Sequence, residues 1–330
     1  MSTICRREAA VSWARQQLPD QPWQTETISS DASFRSYYRL RHQAQSYVVM
    51  DAPPERESVH AFVDIARRLR AASLHAPAVL AQRLDEGFLL LEDLGNRPYH
   101  QILQPGNADR LFGDALHALQ ALQSRVDTQG LPAYDQARLS AEANLFLEWF
   151  LTYHWQVEPT ANEQDDWDGL CTQVIQACLD QPQVFCHRDY MPRNLMVSEP
   201  NPGIIDFQDA VAGPISYDPV CLFRDAFLSW PAERVDQWLE SYRQQAQVVG
   251  LPVPDAPDDW RRMCDRMGVQ RHLKVIGIFA RIRYRDGKPA YLDDAPRFFG
   301  YLEAAVARNA ELAPLTRLLA SWRQRARPAQ

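Results

Sequence analysis

Lysine is almost missing. Of 35 basic side chains in 330 residues, only Lys274 and Lys288 are lysine, and the first 273 residues hold none. That excludes lysine chemistry from the N-terminal four fifths of the chain: no Walker-type phosphate lysine and no Schiff base. Six cysteines, Cys5, Cys171, Cys178, Cys186, Cys221 and Cys264, include no C-x-x-C pair. No zinc motif is signalled, and the thiols read as reduced and buried. The longest apolar runs, such as Val275 to Ala280, fall far short of the roughly 20 residues that cross a bilayer. Met1 to Ala10 carries Arg6, Arg7 and Glu8 and no apolar stretch, which argues against a signal peptide and for a cytoplasmic chain. There is no internal repeat or low-complexity segment. Against 42 acids the formal charge is -7, which lowers the expectation of a nucleic-acid or membrane partner.

A hydrophobic content of 46% supports a packed core in one large domain or two lobes. The first ninety-odd residues read as strands around one helix. Strands are expected at Thr25 to Ile28, Phe34 to Leu40, Ser46 to Met50, Ala78 to Leu84 and Phe88 to Glu92. After Pro53 and Pro54, the residues Val59, Phe62, Val63, Ala66 and Leu69 recur at helical spacing. From Asn96 onward the pattern is helical, with Leu111 to Leu122 on one amphipathic stripe and a second helix capped by Ser140. Asp168 to Leu179, Tyr217 to Trp230, Glu233 to Val249 and Asp259 to Arg285 are further helices. Two short apolar runs, Asn194 to Val197 and Gly203 to Phe207, flank the turn Glu199-Pro200-Asn201-Pro202 and predict a hairpin among helices.

His187-Arg188-Asp189-Tyr190-Met191-Pro192-Arg193-Asn194 fits H-R-D-x-x-x-x-N, and Asp206-Phe207 follows twelve residues beyond Asn194. Phosphoryl transfer needs a carboxylate to accept the acceptor's proton and oxygen ligands to hold magnesium against a triphosphate. In the protein kinase scheme one loop and one hairpin supply them. Asp189 stands at the base, Asn194 and Asp206 at the metal ligands, and His187 reads as a structural residue packing the loop.

These motifs resemble the aminoglycoside phosphotransferase and choline kinase-like superfamily. A closer similarity runs from about residue 28 to 305 and is to anomeric sugar kinases of the N-acetylmuramate/N-acetylglucosamine type. It is carried by Ser30 to Arg35, Val48 to Glu55, Leu90 to Gly95, Ile205 to Ala210, Gly213-Pro214, Tyr217-Asp218 and Leu273 to Tyr291. The resemblance implies an α+β, two-lobed protein-kinase-like fold: a small antiparallel β-rich N-lobe with one main helix, residues 1–95 with a connector at 91–95, and a larger helical C-lobe, 96–330. The latter would hold the catalytic loop 187–194 and the metal hairpin 194–209. It further implies ATP and Mg2+ as cofactors, phosphorylation of a sugar C1 hydroxyl, and a place in bacterial cell-wall recycling. Asp189 would be the catalytic carboxylate, with Asn194 and Asp206 as metal ligands. Ser30, Asp31, Ala32, Ser33, Phe34 and Arg35 would cover the phosphates, and Glu92 and Leu94 would meet the adenine. Asp209 and Asp218 would tie loops together.

The chain departs from the kinase pattern at two points. The phosphate loop has no glycine, and strand three ends at Met50, where a phosphate-binding lysine is expected. Arg35 or Arg39 is the candidate replacement, since a guanidinium can hold two phosphate oxygens. For the acceptor, Asn144 and Glu148 stand four apart on one helical face, beside Trp149, Tyr153, His154 and Trp155. Trp149 and Tyr153 also fit the core at that spacing. Arg224, with Asp225 as a local partner, joins Asn144, Glu148 and Asp189 as a sugar-binding candidate. Two other readings remain: a kinase of the same fold acting on an aminoglycoside, choline or another hydroxyl, and a pseudokinase serving as a nucleotide-regulated binding module.

Overall fold

The computed structural model describes residues 3–28 and 34–327. In chain order the elements are α1 (Thr3–Gln16), β1 (Gln24–Ile28), β2 (Ser36–His42), β3 (Gln45–Asp51), α2 (His60–Ala71), β4 (Val79–Arg83) and β5 (Phe88–Glu92). Then follow α3 (Tyr99–Ile102), α4 (Ala108–Arg125) and α5 (Gln136–Leu145), the last running into a π-helical segment, Phe146–His154. After α6 (Ala161–Leu179) come four short strands: β6 (Gln183–Cys186), β7 (Leu195–Met196), β8 (Gly203–Ile204) and β9 (Val211–Pro214). The chain closes with α7 (Tyr217–Phe223), α8 (Ala232–Val248), α9 (Pro257–Asp286), α10 (Ala295–Arg308) and α11 (Ala313–Arg325).

Two compact units result. One comprises Met1–Asp127 with Pro192–Ala210; the other comprises Thr128–Met191 with Val211–Gln330. The first is built on an antiparallel sheet in the order β1-β2-β3-β5-β4. Its alternating residues Tyr38, Leu40, Val49, Phe88 and Leu90 pack against Ala10, Val11, Trp13 and Ala14 of α1. That helix is absent from the sequence reading. Its packed residues, Ala10 to Ala14, are few and lie between Arg6-Arg7 and Arg15, so they make no long apolar run. Gly87 closes the turn into β5 at φ +74°, and a Cβ there would lie 1.8 Å from the Ala52 carbonyl oxygen, so only glycine fits.

The expected division after Gly95 differs from these units. Residues 97–114 are bonded to the β7–β8 hairpin: Val197 N–H donates to the Arg97 carbonyl, and the Asn201 amide donates to Tyr99 and Asp114. Those bonds make α3, α4 and the hairpin part of the sheet-bearing unit.

The second unit packs α5, α6, α10 and α11 around α9. Phe146, Trp167, Phe299 and Trp322 meet at its centre, with Phe146 and Trp167 stacked 5.7 Å apart. Burial of each such ring contributes on the order of 2–3 kcal/mol. Gly277 marks the closest backbone approach, since a Cβ there would lie 2.3 Å from Leu145 C and 2.6 Å from Phe146 N. α6 begins with a complete capping box, Thr160 and Glu163.

Two expectations need correction. The helix that holds Ser140 begins earlier, because Asp135 accepts the Arg138 N–H at 2.9 Å and serves as the cap. The helix from Tyr217 stops at Phe223 rather than Trp230, because the Asp225 carboxylate captures the N–H groups of Phe227 and Leu228 and turns the chain.

Candidate active site

The metal-ligand candidates lie in the first unit. β7 and β8 pair through Leu195 with Ile204 and Met196 with Gly203, and this short ladder returns the chain to the point where Asn194 ends a 3-10 turn. The Asn194 amide donates to one Asp206 oxygen at 3.3 Å, and the Gln208 amide donates to the other at 3.0 Å. Asp206 holds a left-handed backbone, φ 63°, which costs on the order of 1 kcal/mol in a non-glycine residue. Its carboxylate is exposed and bonded to two neutral amides, and among the described residues no cation is in ion-pair contact with it. Hard oxygens gathered in this way fit a divalent ion of the magnesium type, which takes one or two carboxylates and completes its shell with phosphate and water. Among the described residues no group of three or more His, Cys, Asp or Glu side chains is placed to hold a metal.

On the same unit, Arg35 forms an ion pair with Glu57 at 2.6 Å, just before α2, and Glu57 also accepts the Phe34 N–H at 3.3 Å. Tyr37 lies beside this pair and opposite Met50 in the β2–β3 register. Burial pushes its phenol up to about 12, with Asp206 and Glu57 adding to the shift and Arg35 opposing it. Arg35, Glu57 and Asp206 thus share one electrostatic neighbourhood. Arg39 has another task. It is buried, donates to both Asp93 oxygens at 2.7 and 3.0 Å, and bonds the Gly95 carbonyl at 2.8 Å. Asp93 also accepts the Gly95 N–H. Burial opposes ionisation of this carboxyl, but the Arg39 contact keeps it below the usual carboxylate range. Arg39 therefore ties β2 to the segment that follows β5. Beside it, the Glu92 carboxylate pairs with Arg70 at 3.2 Å, and Leu94 is buried against Gly203. Ser30, Asp31, Ala32 and Ser33 lie outside the described residues.

The catalytic-base candidate lies in the second unit. Asp218, fully buried on α7, accepts the N–H groups of His187 at 2.7 Å and Arg188 at 3.0 Å. Burial raises its carboxyl above the usual range, while these bonds work against the shift. Buried His187 accepts the Asp189 N–H on Nδ1 at 3.3 Å, and its ring meets Tyr190 edge-on. Arg188 is left-handed, φ 74°. Asp189 thus follows a residue that is strained and bonded on both backbone and side chain, so its direction is set by its neighbours.

Residues 24–265 match the model of the phosphotransferase enzyme family. The chain belongs to that family. A protein of Pseudomonas aeruginosa named N-acetylmuramate/N-acetylglucosamine kinase is 56% identical over 297 residues, covering 90% of this chain and 88% of that protein. Choline kinase from Cryptosporidium parvum superposes with a TM-score of 0.64 at 13% identity, over 95% of this chain and 99% of that one. ADP-bound aminoglycoside phosphotransferase APH(2'')-Ib superposes at 0.57 and 16% identity, over 92% and 98%. The fold is therefore the α+β, kinase-like fold of the phosphotransferase family.

The acceptor candidates are distributed differently from the helical-wheel expectation. Asn144 accepts the Trp167 indole N–H at 3.1 Å, which commits its oxygen to α6. Glu148 is exposed, and its charge acts on Arg281 of α9. Asn144 and Glu148 are both exposed, and the backbone between them turns π-helical from Phe146. Trp149 is half-buried and packs against the core of the second unit, while Tyr153, stacked on it at 4.9 Å, is 53% exposed. Arg224 pairs with Asp265 at 2.8 Å, not with Asp225, and Asp265 also binds Arg308 and Asn309. The Arg224 charge balances the buried Asp265 carboxylate. Asp209 is exposed. Sequence reasoning missed the carboxylate and phenols around Arg188, Glu142, Tyr134 and Tyr217; no local pattern joins residues so far apart.

Proposed function

We propose that the protein is an ATP- and Mg2+-dependent kinase that phosphorylates the C1 hydroxyl of N-acetylmuramate and N-acetylglucosamine, acting in the cytoplasm in cell-wall recycling. One observation carries the acceptor: the 56% identity to a kinase named for these two sugars, over nine tenths of the chain. The chemistry is supported by the retained set Asp189, Asn194 and Asp206, which a binding-only pseudokinase has no need to keep.

In this reading Asn194 and Asp206 hold the metal, whose bound charge offsets that of the triphosphate. Asp189 orients the anomeric hydroxyl and takes its proton as the oxygen attacks the γ-phosphorus, the bond from that phosphorus to the β–γ bridging oxygen breaks, and ADP leaves. Arg35 donates to phosphate oxygens in the place of the missing lysine, with Glu57 fixing its guanidinium. The connector backbone at Glu92 and Leu94 meets the adenine, and the Asp93–Arg39 pair holds that segment in shape.

The test is ADP release from Mg-ATP with a panel of N-acetylated sugars, aminoglycosides and choline, followed by phosphorus NMR of the product. Coupling of the new phosphorus to the anomeric proton is the expected result. Turnover of an aminoglycoside with none of the sugars would overturn the acceptor assignment.

A further inference from the structure

The second unit buries an ionic cluster behind the catalytic loop. Glu142 of α5 binds the Arg188 guanidinium through one carboxylate oxygen. Its other oxygen accepts the Tyr134 hydroxyl and lies 3.1 Å from Lys274 Nζ of α9. Lys274 also donates to the Tyr217 hydroxyl at 3.1 Å and the Tyr134 hydroxyl at 3.4 Å. Arg188 and Lys274 both face the Tyr134 ring, 5.3 and 5.8 Å from its centroid. A lysine buried this deeply needs a reason, since removing an ammonium from water costs several kcal/mol unless it is paired. Two cations and one carboxylate leave one positive charge over. Asp189 follows Arg188 directly in the chain and is the anion nearest in sequence. Burial works to lower the Lys274 ammonium, but Tyr217, Glu142 and Asp189 hold it above its ordinary value. Burial likewise opposes ionisation of Glu142, which Lys274 and Arg188 keep below the usual range.

We propose that Lys274 is a positioning residue for Asp189: its ammonium fixes Glu142, Glu142 fixes the Arg188 side chain, and Arg188 fixes the left-handed backbone from which Asp189 projects. Asp218 secures the same loop through its backbone N–H groups, so the loop is held from α7 by main chain and from α5 and α9 by side chain. The cluster's ion pairs are enclosed, so they are not weakened by solvent as surface pairs are. One of two lysines in the chain thus serves the catalytic carboxylate through Glu142 and Arg188, while the usual phosphate lysine is missing.

This inference rests on the kinase reading, and its test separates the two. The variants are Lys274→Met and the double variant Lys274→Met/Glu142→Gln, which keeps the cluster's net charge at one positive because a cation and an anion leave together. Each is assayed with N-acetylglucosamine and ATP beside wild type and Asp189→Asn, with ADP affinity and Tm as checks on folding. The expected result is kcat lowered about 10- to 100-fold in both variants, the range that follows from a misdirected catalytic group. KM for ATP and ADP affinity should stay within about twofold of wild type. A folded Lys274→Met with wild-type kcat overturns the inference. So does a double variant that regains wild-type kcat, which would make the lysine a mere counter-charge for Glu142. If Lys274→Met fails to fold, the double variant decides by the same criterion; if neither folds, the cluster serves stability and the inference falls. Wild-type protein inactive on both sugars removes the proposed function and this inference with it.

Discussion

Replacement of Arg35 by methionine tests how the protein manages without a lysine on strand three. The change deletes a guanidinium whose side chain is 11% exposed and leaves Glu57, 19% exposed, without that cation. Two effects then act on bound ATP. If Arg35 holds the phosphates as proposed, its charge-assisted bonds to them disappear, each worth about 1.5–3 kcal/mol. The uncompensated Glu57 carboxylate, in the same neighbourhood as Asp206, also repels the phosphates. If the bonds strengthen as charge develops in the transition state, most of the loss falls on kcat, about 10- to 100-fold, since each 1.36 kcal/mol is tenfold. KM for ATP should rise less, by about 3- to 10-fold. The double variant Arg35→Met/Glu57→Gln should recover part of that loss, because the repulsive term goes with the carboxylate. The assay is steady-state turnover with varied ATP at saturating sugar. Unchanged kcat and KM in Arg35→Met would refute the assignment and leave magnesium alone to meet the triphosphate. Arg39→Met should behave otherwise. It leaves the Asp93 carboxylate buried and unpaired, so it should lower Tm along with nucleotide affinity.

Three further outcomes follow from the structure. Asp189→Asn should lower kcat by about 10²–10⁴ with ADP affinity nearly unchanged, as steady-state kinetics and calorimetry would record; near-normal kcat would mean another base. Gly277→Ala should lower Tm by about 5 °C or more, because the methyl group meets the Leu145 and Phe146 backbone rather than a side chain that could move. Glu163, bonded to Ser321, Thr160 and Arg325, titrates at about 2 when folded against an ordinary 4.5, despite some opposition from burial. A depressed carboxyl stabilises above its unfolded value and ceases to do so as pH falls through its folded one. Glu163→Gln should therefore cost about 1–2 kcal/mol at neutral pH by denaturant melts, an amount discounted for partial exposure, and nothing below pH about 2.

What could be read from the sequence was local. β5 and the β7–β8 hairpin announce themselves through short apolar runs bounded by turn residues, and the H-R-D-x-x-x-x-N spacing is one loop long. What could not be read depends on distance or on competition. The cap of α5 is Asp135 because its carboxylate reaches Arg138 N–H before Ser140 has a helix to start. Arg224 was ambiguous until Asp265, on α9, took its charge. Arg35 and Arg39 look alike on one strand, yet one turns to Glu57 and the other to Asp93. Glu142 and Lys274 are both unremarkable in their own helices, and only the packing of α5 on α9 makes them a pair.

The shortage of lysine also has a practical side. Lys274 is enclosed by phenols and a carboxylate, while Lys288, just past the end of α9, is exposed. Amine-reactive chemistry aimed at lysine side chains would meet one residue here, at a fixed place near the end of α9. A fluorophore, biotin or resin linker could be installed at Lys288 without mutagenesis, well separated along α9 from the ammonium that the catalytic loop needs.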